Sequence, residues 1–475
     1  MSVKTVEASA RPTPDGSGSA PTDPTRLRLV IASALLGTTI EWYDFFLYAT
    51  AASIVFNKLF FPDSSSYVGT MLSLATFAVG FVVRPIGGVV FGHIGDKIGR
   101  KRTLAVTMLL MGVATALMAV LPTATQVGVA APILLLVLRV VQGFALGGEW
   151  AGAVLMSVEH GPRGRTGFFG SIPQIGLALG LGLGTAVFAT LQTVFDTAEF
   201  LAYGWRIAFG VSVILVIVGF VVRLVVDETP SFRAAERAVT TVRAPIAALF
   251  ADRHLRRQTF FGLLSRWAEG AAFNTWGVFA ITYATGTLAM DNVSVLWSVT
   301  IATGVMAAVI PFSGMMADRI SPKWIFISGV AAYGVAVYPV FALFSTRDIV
   351  WFTVGLVIVF GLVHGWFYGA QGTLYALVYP TEVRYTGISF IYNFAGVYAS
   401  GLTPLILTAL IHGGNGKPWG AAGYLVATAV ISVVGSAFLK PSRPDQALTW
   451  VDDAVLVEPV RAGVSATAIA GVPRS

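Results

Sequence analysis

The sequence has no cysteine among its 475 residues, so disulfides, iron–sulfur clusters and thiolate metal sites are excluded. Histidine is scarce as well, and the five residues, at positions 93, 160, 254, 364 and 412, show no HExxH or similar metal-ligand spacing. Charge is the third shortage. Asp, Glu, Lys and Arg make up 12% of the chain, against about 25% in an ordinary soluble domain. What fills the chain is apolar: 55% of residues are hydrophobic and the mean hydropathy is +0.76. Too little polar surface remains to cover a water-soluble globule of this size, which excludes a cytosolic enzyme and a disordered chain. The formal charge of +7 comes from 31 Lys and Arg against 24 Asp and Glu. Without clustered basic patches such a surplus does not make a nucleic-acid binder. The remaining class is a polytopic membrane protein.

A membrane helix needs about 20 mostly apolar residues. Hydropathy predicts twelve, at about 29–56, 67–93, 104–122, 130–158, 166–193, 206–226, 258–285, 293–317, 323–345, 350–378, 385–412 and 419–439. Backbone polar groups in lipid must be satisfied within the segment, so helices are expected, and the alternating strands of a barrel are missing. The expected fold is therefore an all-α polytopic membrane protein. Residues 1–28 read as a disordered cytoplasmic tail, 29–226 as a six-helix bundle, 227–257 as a cytoplasmic central loop, 258–440 as a second six-helix bundle, and 441–475 as a second cytoplasmic tail. No short apolar run with a cleavage site follows a basic start, so no signal peptide is expected.

The distribution of basic residues fits this count. With the N-terminus inside, the outer loops hold only Lys58, Arg206, Arg347 and Lys417. Arg84, Arg139 and Arg266 fall within spans, and every other Lys and Arg lies on an inner segment. A miscounted span would invert the alternation, so the asymmetry supports twelve spans and cytoplasmic termini. It also accounts for the positive charge, because basic loops face an anionic leaflet.

Two segments repeat. Gly92-His93-Ile94-Gly95-Asp96-Lys97-Ile98-Gly99-Arg100-Lys101-Arg102 follows span two, and Gly314-Met315-Met316-Ala317-Asp318-Arg319 ends span eight. Arg165-Thr166-Gly167 is echoed by Arg384-Tyr385-Thr386-Gly387 at nearly the same offset. Two echoes at one offset point to a duplicated six-helix unit. The first loop, read as GxxGDxxGRKR between two spans, resembles the signature of the major facilitator superfamily. Arg139 to Glu149 in span four resembles its second signature, and the likeness runs over nearly the whole chain. Glu41-Trp42-Tyr43-Asp44-Phe45, Arg84-Pro85-Ile86-Gly87-Gly88, Gly147-Gly148-Glu149-Trp150 and Asp227-Glu228-Thr229-Pro230 are similar to the metabolite:H⁺ symporter branch. That resemblance implies a 6+6 pseudo-symmetric architecture, a monomer, and transport of shikimate, 2-oxoglutarate, citrate, dicarboxylates, proline or betaine. It also implies a cytoplasmic gate loop carried by Gly92, Asp96, Gly99 and Arg100, with Asp318 as the second copy's acid. The second copy departs from the pattern, since Ser321-Pro322 stands where Gly-Arg is usual.

Ionisable side chains within spans are costly and mark function. Glu41 and Asp44 lie three residues apart on span one, near one helix face, and suit a proton site. Arg139 resembles the branch's coupling arginine, and Glu149, on the same span, reads either as a proton carrier or as half of a gate pair. The alternative for Glu41 and Asp44 is a structural ion pair with a span Arg, and for Arg139 a buried charge that holds spans together. Arg84 beside Pro85 could grip a carboxylate bidentately or serve packing. Arg266 and Glu269 are again three apart, so they could pair with each other, or Arg266 could bind substrate. His364, Tyr368, Gln371 and Tyr375 form one stripe along span ten and read as cavity lining. Gln174, Tyr392 and Asn393 are weaker lining candidates. Trp42, Tyr43 and Trp276 would instead suit a cage for a quaternary ammonium.

These features predict a secondary transporter: proton-coupled symport of a small organic acid across the plasma membrane by alternating access. A zwitterion symporter of the proline or betaine type, or an exporter or uniporter, is the alternative. No cofactor is expected beyond the proton gradient. The expected partners are substrate, protons and the lipid bilayer, not nucleic acid. No nucleophile–base pair, metal motif or filter sequence favours an enzyme or a channel.

Overall fold

The computed structural model describes residues 24–98, 100–147, 150–162, 164–225 and 245–441. Among the described residues every regular element is helical. Spans one to three are Pro24–Ile54, Ser66–Ile98 and Arg100–Ala119. Span four runs as Ala130–Leu146 and Trp150–His160, span five is Thr166–Val194, and span six is Trp205–Val225. Helix Pro245–Ala251 and the start of helix Arg253–Ser265 fall in the stretch read from sequence as the central loop. Span seven continues through Trp267–Asn274 and Ala280–Thr282. Spans eight and nine are Asn292–Arg319 and Pro322–Ser345. Span ten joins Ile349–Leu356 to Gly365–Val378, span eleven joins Thr381–Ala395 to Thr403–Gly413, and span twelve is Trp419–Phe438.

Nine stretches of 20 to 31 described residues are long and apolar enough to cross a bilayer. Spans one, three and seven complete the twelve, and span seven is divided at Arg266. Aspartates start several helices by accepting backbone N–H groups that would otherwise lack partners: Asp252 from Leu255 at 2.7 Å, Asp291 from Ser294 at 2.8 Å, and Asp348 from Val350 at 2.8 Å.

π-helical turns interrupt spans seven, ten and eleven at Thr275–Phe279, Tyr283–Thr287, Val357–His364 and Gly396–Gly401. Such turns widen the helix by one residue and cluster at functional sites. Here they sit beside Asn274, His364 and Ser400.

The two halves meet along two long seams. Span five lies against span eight. A Cβ on Gly314 would stand 2.7 Å from the Gly167 carbonyl oxygen, so only glycine permits this approach. Further along, the hydroxyls of Thr185 and Thr300 are 2.8 Å apart. Span two lies against span eleven, where a Cβ on Gly401 would be 3.1 Å from the Phe81 Cβ.

Candidate functional site

Between the halves lies a small cavity of about 10 Å³, room for about one water molecule. The first half supplies Trp42 and Phe46 from span one, Phe81 and Arg84 from span two, and Leu177 from span five. The second half supplies Arg266, Glu269, Phe273 and Asn274 from span seven and Tyr392, Gly396 and Ser400 from span eleven. Five of the twelve lining residues are aromatic, and the walls carry two cations and one carboxylate.

Rings hold Arg84 in place. Its Cζ lies 5.4 Å from the Trp42 ring, 5.5 Å from Tyr392 and 5.7 Å from both Phe45 and Phe81. Arg84 Nε and Nη2 find no hydrogen-bond partner among the described residues. Arg266 forms an ion pair with Glu269, one helical turn away, while its Nε finds no hydrogen-bond partner among the described residues, and its Cζ lies 4.4 Å from the Tyr392 ring. Glu269 Oε1 is also 3.9 Å from His364 Nε2. His364 in turn sets Nδ1 3.2 Å from the sulfur of Met306 and stacks on Tyr368 at 5.3 Å.

A second polar cluster lies wholly in the first half. Asp44 is fully buried and accepts a short hydrogen bond from Ser212 Oγ of span six. Thr115 Oγ1 of span three lies 3.4 Å from its other oxygen. Gln142 Nε2 donates to Thr115 Oγ1 at 2.7 Å, and Arg139 Nη1 donates to Gln142 Oε1 at 3.1 Å. Asp44 and Arg139 are thus joined by two intervening side chains and not by a direct ion pair. Arg139 also donates to the Phe77 carbonyl at 3.4 Å and lies 4.1 Å from Phe45 and 4.3 Å from Tyr48. Phe45 therefore stands against both Arg139 and Arg84. Glu41 is buried on the same helix, and its charge acts on Arg84 and on Asp44.

Contacts between the halves flank the cavity on both sides. At the end that carries the repeated loops, the Asp318 carboxylate accepts the backbone N–H groups of Gly167 at 2.6 Å and Phe168 at 2.9 Å. These are orphan donors at the start of span five, so an acid of the second half caps a helix of the first. Asn393 Nδ2 donates to the Gly147 carbonyl at 2.7 Å. Trp150 stacks on Tyr392 at 3.8 Å and donates to Gln174 Oε1 at 2.8 Å, and Gln174 Nε2 donates to the Tyr368 carbonyl at 3.2 Å. At the opposite end Tyr67 stacks on His412 at 3.9 Å.

The residues singled out from sequence thus separate. Arg84 and Arg266 line the cavity. Gln174, Tyr368 and Asn393 join the halves just beyond it. Tyr43 turns away, its hydroxyl donating to the Ala208 carbonyl at 3.1 Å within the first half. Tyr375 packs inside the second half, its hydroxyl 3.2 Å from Ser265 Oγ. Gln371 is buried, and its amide finds no hydrogen-bond partner among the described residues. Trp276 packs against Phe341 at 5.4 Å, so the three aromatics read as a cage are not brought together. Glu149 and Gly99 lie outside the described residues. Gly92, Asp96 and Arg100 are placed on helix backbone only, their side chains likewise outside. Thr115, Gln142 and Ser212 were not singled out from sequence, nor was Trp150 as a partner of Tyr392.

Residues 29–439 match the family described as Sugar (and other) transporter. The chain belongs to this family of the major facilitator superfamily. It is 34% identical over 420 residues to the shikimate transporter of Escherichia coli K12, covering 88% of this chain and 95% of that protein. Identity to the proline/betaine transporter of the same organism is 30% over 426 residues, covering 88% and 84%. Among solved structures, the D-xylose-proton symporter superposes with a TM-score of 0.68 at 16% identity, covering 87% of this chain and 98% of that one. The protein is thus a membrane transporter of the major-facilitator fold, with two six-helix halves.

Proposed function

We propose that the protein is a proton-coupled symporter of a small organic acid, working by alternating access in the plasma membrane with both termini in the cytoplasm. The reading rests above all on the cavity between the halves, where a ring-held guanidinium keeps two of its nitrogens unpaired. Arginine presents donors in a planar fork that matches a carboxylate. A buried charge of this kind is costly unless an anion joins it. Shikimate, the substrate of the Escherichia coli relative, is itself a carboxylate.

Coupling is assigned to the first-half cluster. Asp44 takes a proton from outside, and the chain through Thr115 and Gln142 carries the change to Arg139, whose neighbour Phe45 also touches Arg84. Substrate and proton together stabilise the closed state, and release to the cytoplasm follows when the Asp318 cap and the Trp150–Tyr392 stack separate. Either ligand shifts the equilibrium only by its differential affinity for the two states.

Uptake by proteoliposomes tests this reading. Labelled shikimate, 2-oxoglutarate, citrate, proline and betaine are offered with and without an inward proton gradient. Gradient-dependent accumulation of an acid is expected. Accumulation of betaine alone would favour the zwitterion reading, and uptake indifferent to the gradient would remove coupling.

A further inference from the structure

The cavity holds two arginines, and only Arg266 is paired with a carboxylate of the cavity wall. Arg84 enters from the first half with Nε and Nη2 unpartnered among the described residues. Arg266 enters from the second half already bound to Glu269, which lines the same cavity. We propose that Glu269 is a selectivity filter: by occupying Arg266 it leaves Arg84 as the anion site, so the carrier takes monocarboxylates and turns dicarboxylates away. The inference rests on the carboxylate reading and narrows it.

The charges around the cavity support this. Arg84 and Arg266 are set against Glu269 in the wall and against Glu41, which acts on Arg84 from span one. One incoming carboxylate adds one negative charge, which one co-transported proton offsets. A second carboxylate adds a further negative charge with no second proton to offset it, and an uncompensated charge in a low-dielectric space is strongly disfavoured. Among the described residues His364 from span ten faces Glu269, and across Arg266 stands Tyr392 from span eleven, with Tyr368, Tyr375 and Tyr398 also near Arg266. None carries a permanent positive charge that would replace Arg266 as an anion site.

The shape of the site adds the rest of the ligand's description. Trp42, Phe46, Phe81 and Phe273 give the site an apolar wall. Glu269 also retains acceptor capacity toward the cavity, so hydroxyl or ammonium donors on the far end of the ligand would be met there. The expected ligand is a compact monocarboxylate with hydrogen-bond donors remote from its carboxylate.

The test uses the purified full chain and matched acid pairs, each offered as the free anion: lactate against malate, butyrate against glutarate, benzoate against phthalate, with shikimate alongside. Binding is read as ligand-induced thermal stabilisation over a concentration series. Wild type is expected to favour the monocarboxylate of a pair by about tenfold or more, the scale of one charge-assisted contact. Glu269→Gln frees Arg266 and should invert that order, with the monocarboxylate affinity changing less than about threefold. Glu269→Asp keeps the charge and should keep the wild-type order. A purely structural role for Glu269 would weaken both members of a pair alike and leave their ratio unmoved, which would overturn the proposal. If Glu269→Gln does not fold, the wild-type order decides: equal or tighter binding of dicarboxylates refutes the filter while leaving the carboxylate reading intact. Binding of no acid by any form refutes both.

Discussion

Replacing Asp318 by Asn should loosen the closure at the loop-bearing end of the molecule. Asp318 takes two backbone N–H groups from the first turn of span five, at 2.6 and 2.9 Å. Each is a charge-assisted bond worth about 1.5–3 kcal/mol, and the carboxylate also meets the positive end of the helix dipole. Asn can accept one of the two as a neutral bond worth about 1 kcal/mol, while its amide N–H faces the other donor. The net loss is about 2–5 kcal/mol, which moves the open-to-closed ratio at this end by about 30-fold or more. The chain has no cysteine, so two can be introduced cleanly. Exposed Pro162 and Ile320 flank the seam. Spin labels on Pro162→Cys and Ile320→Cys report the distance across it by pulsed electron resonance. The Asp318→Asn chain should shift from a short, narrow distribution to a longer, broader one, with Asp318→Glu between the two. Superimposable distributions would refute the capping argument.

Other expectations follow from the same geometry. Arg84→Lys keeps a charge but loses the planar fork, so the KM for an acid substrate should rise about 10- to 100-fold with the fold unchanged, as uptake kinetics would show. Gly314→Val places a methyl-bearing carbon against the Gly167 carbonyl, where a Cβ has only 2.7 Å. Overpacking of this kind costs about 1–3 kcal/mol, so the same spin-label pair should report a bias to the open form. Gln142→Leu cuts the only described link between Arg139 and Thr115, so gradient-driven accumulation should fall while substrate exchange at equal pH persists. A parallel loss of both would contradict the relay.

The membrane class, the helix count and the family were legible because they rest on local signals: apolar length, basic loops and a loop motif. The charged residues were legible for the same reason, since Arg84, Arg139, Arg266 and Asp44 stand out against lipid. Their partners were not. Thr115 also bonds its own helix at the Met111 carbonyl, so it reads in sequence as one of many self-satisfied span hydroxyls. Only the fold brings it from span three to Asp44 on span one. Tyr43 illustrates the opposite failure. It stands beside Trp42 in the motif, but adjacent residues on a helix point about 100° apart, so Trp42 faces the cavity and Tyr43 faces Ala208. The span-ten stripe was drawn with an ordinary helical period, whereas a π turn over Val357–His364 ends at its first member, and the stripe packs beside the cavity without lining it.

The account stands most directly on one measurement: proton movement driven by substrate alone. Proteoliposomes carrying a trapped pH-sensitive dye receive an acid substrate with no imposed gradient. The account predicts that the wild-type lumen acidifies as substrate enters, and that Asp44→Asn takes up substrate down its gradient with no dye response. Substrate entry without acidification in the wild type, or an unchanged dye response in Asp44→Asn, would contradict proton coupling through Asp44.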